Sequence, residues 1–439
     1  MSANPNDTHE LIYDWNLVEA PNAPKKRVMV TDETLRDGLQ SPSVIQPEIQ
    51  DKVYLLYLMS DLGVDAADLG LCGAGEKFKY HVSVLAKEIV KQKMDIQPQS
   101  AARSVVADII PIVDVSEDVG VPLEAAVFLG TSAIRRFAEG WDVDFLLRQT
   151  EDAVTFATKH GIPVMFVTED TVRADPETLR RVYETAIRSG AKRICAADTV
   201  GHIAPHGVHA LITFLRKIVD EVDPTVGIDW HGHKDRGLDI ANSIAAVEAG
   251  ADRVHACGLG IGERSGNTPM ELLLVNFNLL GWGARDLTKL PEYCEVIADK
   301  CGAVIPFNYP VVGADAFRTT TGVHAAAIAK ALTKNDEWLA EHVYCGVPSS
   351  MVGRAHEIEI GPMSGEHNVR FFLRKHKMEE NPAYVTKILE VAKRSNHLLG
   401  EDDVRRIVTV MSRRQRAHQE VTDEELDHEL TRRRERILR

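Results

Sequence analysis

The chain has 439 residues, of which 44% are hydrophobic and 26% charged, and its formal net charge is −14. This is ordinary composition for a folded protein with ample core, long enough for two or three domains. The acidic balance speaks against a nucleic-acid partner or an anionic membrane surface, while leaving room for a locally basic pocket.

Residues 1–26 read as a polar N-terminal arm, interrupted by Pro5, Pro21 and Pro24 and lacking an apolar signal core. From Arg27, strand-like runs alternate with helix-like stretches. The predicted strands are Arg27–Thr31, Ala66–Gly70, Asp95–Ala101, Ala125–Leu129, Val164–Thr168, Arg193–Ala197, Thr225–His231 and Asp252–Ala256. The predicted helices between them are Glu48–Leu62, Glu76–Gln92, Val105–Val119, Val143–His160, Asp175–Ser189, His206–Val222 and Gly237–Ala249. Several stop at glycine, as at Leu62-Gly63-Val64 and His160-Gly161-Ile162-Pro163. This α/β alternation predicts a (β/α)8 TIM barrel over residues 27–285 rather than a doubly wound sheet. Gly281-Trp282-Gly283 closes it. Residues 286–310 read as a connector, with a helix at Leu290–Cys301 and a proline-broken stretch from Ile305 to Pro310. Residues 311–439 follow as small helical subdomains, with helices at Thr321–Leu332, Ser364–His376, Tyr384–Ser395 and Glu401–Val410. The tail from Thr422 is a strongly charged helix suited to a solvated face or an oligomer contact.

The cysteines, Cys72, Cys195, Cys257, Cys294, Cys301 and Cys345, contain no CxxC pair, and several lie in apolar runs. Buried free thiols and a reducing, cytoplasmic setting are expected. No stretch approaches the roughly 18 apolar residues of a transmembrane helix.

The segment from Asp229 to Asn267 carries the strongest chemical signal. His231 and His233 are two apart on a predicted strand, so both imidazoles face one side. With oxygen ligands nearby they can make a mixed nitrogen–oxygen site for a divalent metal. The first strand leads into Asp32-Glu33-Thr34-Leu35-Arg36-Asp37-Gly38-Leu39-Gln40, which places a guanidinium and a carboxylate at the C-terminal mouth, where such barrels carry their chemistry. Alone, Arg36-Asp37 is as readily a surface ion pair, and a single HxH a packed or solvent-facing pair. Their coincidence with the glycine-rich run Gly260–Asn267 favours a site.

Thr34-Leu35-Arg36-Asp37-Gly38, His231-Gly232-His233 and Gly260–Asn267 resemble the signatures of the DRE-TIM metallolyases, over about Arg27 to Lys375. Within that superfamily the chain resembles the Claisen-condensing branch, the 2-isopropylmalate, homocitrate and citramalate synthases. The resemblance implies a divalent metal (Mg, Mn or Zn) held by Asp37, His231, His233 and Asn267. It implies that Arg36 polarises a carbonyl or stabilises an enolate oxygen, and that acetyl-CoA and a 2-oxo acid are the substrates. Phe166–Asp175 resembles the family's segment after the fifth strand, which makes Glu169 the base that takes the methyl proton. Asp198-Thr199-Val200-Gly201 resembles the end of the sixth strand, where Thr199 binds the oxo-acid carboxylate. Thr321-Gly322-Val323-His324 resembles the motif that brings a general acid/base histidine, here His324, into a neighbouring subunit's site. A homodimer follows. Full-length 2-isopropylmalate synthases add a leucine-binding domain, which is expected to be missing here.

The sequence departs from the family at several places. Leu39 replaces the usual Glu after Arg-Asp-Gly, and Lys234 the usual Asn after His-x-His. Thr319-Thr320-Thr321 stands for His-Glu-Ser, and Gly361-Pro362-Met363-Ser364-Gly365 for Gly-Lys-His-Ser-Gly. The leading expectation is condensation with 2-oxoisovalerate to give 2-isopropylmalate. Homocitrate, citramalate or citrate formation remain alternatives, as does a lyase of the hydroxymethylglutaryl-CoA type, toward which Arg36-Asp37-Gly38-Leu39-Gln40 leans.

Overall fold

A computed structural model describes residues 11–18, 23–24, 26–416 and 422. The expected N-terminal arm lies largely, and the charged tail almost wholly, outside the described residues. Eight parallel strands close into a barrel in sequence order. They are β1 (Met29–Asp32), β2 (Ala66–Asp68), β3 (Gln97–Arg103), β4 (Glu124–Gly130), β5 (Val164–Glu169), β6 (Arg193–Asp198), β7 (Gly227–Gly232) and β8 (Arg253–Ala256). Closure runs through β1 and β8, with Met29 opposite Arg253 and Asp32 opposite Ala256. The TIM barrel expected from the alternation is therefore present, each strand within a few residues of its predicted place.

Helices cover the outside for the reason the pattern suggested. In Pro176–Arg188, Leu179, Val182, Tyr183, Ala186 and Ile187 are buried, an i, i+3, i+4 stripe. The helix starts with Asp175 accepting from the Thr178 N–H and with proline in its first turn. Three helices were not predicted. Ala133–Glu139 has seven residues and buries none of them, so it has no stripe to read. Met270–Leu279 buries Met270, Leu273, Leu274, Val275 and Phe277 on most of its circumference, which erases the period. Glu337–His342 buries only Ala340.

Two compact units divide between Ile305 and Pro306. The first includes the Leu290–Cys301 helix, whose Tyr293 hydroxyl donates to Asp32 on β1. The second has its own core, in which Val369, Phe372 and Leu373 meet Val385, Ile388, Val404 and Ile407. All six cysteines are free, and only Cys345 is not buried. Among the described residues no helix is long and apolar enough to cross a membrane.

Candidate metal centre and active site

The inward face of β7 carries Asp229 and His231, and His233 follows one residue past the strand on the same side. His233 is held at this height by a bridge to Asn267 in the glycine-rich loop after β8. The turn after β1 brings up Asp37. The result is one cluster. His231 Nε2 lies 3.3 Å from His233 Nε2 and 3.5 Å from Asp37 Oδ2, and His233 Nε2 lies 4.0 Å from the same oxygen. Asn267 Nδ2 donates to Asp37 Oδ1 at 3.0 Å. The four residues expected as ligands from β1, β7 and the loop after β8 thus converge.

Their chemistry fits a divalent cation. Burial pushes the His231 imidazole down to about 3 and also lowers His233, so both rings are neutral and keep a lone pair. Burial opposes ionisation of Asp37, but the Arg36 guanidinium 3.0 Å away holds its carboxyl below the ordinary range. Asn267 Oδ1 and His233 Nδ1 are buried without a hydrogen-bond partner. Two neutral imidazoles, a carboxylate and an orphaned amide oxygen form a mixed donor set.

A second group, Glu33, His231 and His255, is as close-packed. It is the poorer metal site. His255 Nε2 lies 3.1 Å from Asp229 Oδ2 and Nδ1 lies 2.9 Å from Glu33 Oε1. Burial works against a charged ring, yet the hydrogen bond to Asp229 and the close Glu33 carboxylate raise its pKa above the ordinary value. With both ring nitrogens already facing carboxylates, His255 has none turned toward a cation.

Arg36 is fixed by three carboxylates. Its Nε donates to Asp68 at 3.1 Å, Nη1 to Asp37 at 3.0 Å and Nη2 to Glu33. Three of the five N–H groups of a guanidinium are so used, which leaves two for a substrate oxygen. Below this layer Arg253 donates to Asp229 and to Glu124, each at 2.6 Å, and Arg193 Nε donates to Asp229 at 2.7 Å. A ladder of alternating charge therefore runs from the barrel floor to Arg36 at the mouth.

Glu33, His255, Asp229, Arg253 and Asp68 were missed in the sequence. The signal was present for most of them. The two-residue period that pairs His231 with His233 also includes Asp229, and it pairs Arg253 with His255.

Glu169 ends β5 and is half-buried. Burial raises its carboxyl pKa against the opposing pull of Arg135 and Arg36, which suits a base. Thr199, in the turn after β6, accepts the Asp170 N–H at 2.8 Å. Its hydroxyl proton stays available to an anion. Arg36, Asp37, Glu169, Thr199, His231 and His233 line one pocket. His324 belongs to the second unit, where it is exposed and stacks on Tyr344 with ring centroids 4.0 Å apart.

Asp32 supplies a pH test of this end of the barrel. Burial pushes its carboxyl up from 3.8 to about 6, against hydrogen bonds from Thr34 and Tyr293. A raised folded-state pKa contributes stability that is full below the unfolded value and lost as pH rises through the folded one. Asp32→Asn should remove a stability loss on the order of 2–3 kcal/mol between about pH 4 and pH 6. Denaturant midpoints of both proteins across that window check this; parallel curves would refute it.

Comparisons with known proteins agree with the barrel fold. The HMGL-like family matches residues 27–297. The probable 2-isopropylmalate synthase of Methanopyrus kandleri is 32% identical over 82% of this chain and 67% of its own length. The homocitrate synthase AksA of the same organism is also 32% identical, over 83% of this chain and 86% of its own. The crystal structure of the HMG-CoA lyase from Bacillus subtilis superposes with a TM-score of 0.55 at 20% identity, covering 65% of this chain and 97% of that one, which shows the shared fold. On these matches and its barrel, the chain belongs to the HMGL-like family of DRE-TIM metallolyases.

Proposed function

We propose that the protein catalyses a metal-dependent Claisen condensation of acetyl-CoA with a 2-oxo acid, and that the oxo acid carries an apolar side chain, as 2-oxoisovalerate does. The product is then 2-isopropylmalate. The choice among 2-oxo acids rests on one observation. The pocket that holds Asp37, His231 and His233 is also lined by an apolar patch, Ala101, Ala126, Met165 and Cys195, with Leu71, Phe128 and Val167 packed against it. A branched alkyl group gains by burial there at roughly 25 cal/mol per Å², whereas a second carboxylate, as in 2-oxoglutarate or oxaloacetate, would lie unpaired if set against that patch.

Asp37, His231, His233 and Asn267 are the residues proposed to hold the cation, which when bound makes the ketone a better electrophile. Arg36 directs its two spare N–H groups at the oxygen on which negative charge develops. Glu169 takes the proton from the acetyl methyl carbon, and Thr199 donates to the oxo-acid carboxylate. The new carbon–carbon bond joins that methyl carbon to the ketone carbon as the C=O π pair moves onto the ketone oxygen, which takes up a proton to become the product's hydroxyl. Water then cleaves the thioester and frees the thiol of CoA.

Free thiol release from acetyl-CoA with Mn²⁺ and a panel of 2-oxo acids tests the reading. Release with 2-oxoisovalerate well above that with 2-oxoglutarate, pyruvate or oxaloacetate is expected. Release only with one of the latter reassigns the substrate. No release, together with cleavage of hydroxymethylglutaryl-CoA, would show that the lyase reading is the right one.

A further inference from the structure

Asn267 reaches the metal cluster from a loop that is wound against its own preferences. Leu259 has φ 55° and Arg264 φ 54°, in the left-handed region where side chains other than Asn, Asp and Gly are uncommon. Gly260 and Gly266 also take positive φ, at 57° and 98°. Such a loop persists only when its surroundings determine it.

Two side chains from outside do so. Buried Glu271 accepts the Leu259 N–H at 2.9 Å. From the other side, Lys234 Nζ donates to the Leu259 carbonyl at 3.4 Å. The end of the lysine occupies the space beside Gly260, where a Cβ would lie 2.4 Å from Nζ; a Cβ on Gly266 would meet the Gly260 carbonyl oxygen at 1.9 Å and the lysine Cε at 3.2 Å. The backbone continues the contact, since the Lys234 N–H donates to Gly266 at 2.9 Å and the Asn267 N–H to Gly260 at 3.1 Å. Lys234 follows His233 directly. One residue thus links the β7 ligands to the loop that bears Asn267.

We propose that Lys234 is a positioning residue that holds Leu259 in its left-handed conformation and so aims Asn267 at the cation. The inference rests on the reading of Asp37, His231, His233 and Asn267 as the metal set. The lysine and the leucine form a pair: a leucine at this φ needs the brace, and an asparagine would not.

A double-substitution cycle read by Mn²⁺ calorimetry tests this. Lys234→Met keeps the length of the stem and removes the ammonium. It should weaken Mn²⁺ binding about tenfold, the scale of a lost contact one step from a ligand. In the Leu259→Asn background the same change should cost no more than about twofold, because the αL position is then easy. An equal loss in both backgrounds, or none in either, overturns the proposal. Hydrogen exchange of the Gly260 and Asn267 amides in metal-free protein gives a second readout. It should quicken in Lys234→Met and return to the reference rate in the double variant; unchanged rates in Lys234→Met overturn the brace. If the unsubstituted chain binds no Mn²⁺, the metal reading falls, and the exchange comparison still decides the role of Lys234.

Discussion

His233→Ala should abolish divalent-metal binding and turnover together while leaving the fold in place. The side chain supplies one of two imidazoles in the cluster, and the remaining His231, Asp37 and Asn267 leave a cation one nitrogen donor short. A loss of at least about 100-fold in metal affinity is expected, since contacts one step further out already cost ten- to a hundredfold. The fold should tolerate the change for a structural reason. His233 lies just past the last residue of β7, and its Nδ1 makes no hydrogen bond that would be lost. The melting temperature should fall by no more than about 3 °C, the shift that roughly 1 kcal/mol produces in a domain of this size. Calorimetric titration with Mn²⁺, thiol release and a thermal scan on one preparation measure all three quantities. Turnover and Mn²⁺ affinity equal to those of the unsubstituted chain would remove His233 from the ligand set.

How much of this was legible in the sequence depended on whether the information was local. The barrel was, because most strands contain a short apolar run and most covering helices a stripe, and both are local periodicities. Its exceptions follow the same logic: Ala133–Glu139 buries nothing and Met270–Leu279 buries too much, so neither shows a period. The convergence of Asp37, His231, His233 and Asn267 was legible because three motifs announced it. The layer beneath was not. Glu33 and His255 are 222 residues apart, and only the β1–β8 closure brings them to 2.9 Å. A glutamate in a turn and a histidine in a strand have no meaning separately. The apolar patch was hidden for the same reason, since Ala101, Ala126, Met165 and Cys195 come from four different strands. Lys234 was visible as a departure from the family, but its partner Leu259 became unusual only once its φ was known.

Arg36 carries the largest combined effect on stability and catalysis. Its guanidinium is shared by Glu33, Asp37 and Asp68, all buried. Asp68 already shows the crowding: burial and the neighbouring Glu33 push its carboxyl up to about 7, against the pull of Arg36. Arg36 keeps the other two below the ordinary carboxylate range, although burial acts against it. Arg36→Met leaves Asp37 and Asp68 without their guanidinium and Glu33 with His255 alone, and a cost of about 3–5 kcal/mol is expected from breaking a buried pair. The sign of its pH dependence follows. In the unsubstituted chain the depressed carboxylates contribute stability above their unfolded pKa values. In Arg36→Met that contribution is gone, and pKa values raised by burial make the folded state lose ground as pH rises. The stability gap between the two proteins should therefore be wider at about pH 8 than at about pH 5. Arg36→Lys separates folding from chemistry. It keeps one positive charge among the carboxylates but has no planar fork, so it cannot satisfy three of them and still present two N–H groups to an oxyanion. Stability near that of the unsubstituted chain at pH values around 5, with kcat down by roughly 10²–10³, is the expected outcome. A lysine variant that turns over normally would show that charge alone suffices at this position. A methionine variant whose stability gap is flat with pH would show that Arg36 does not neutralise the cluster it touches.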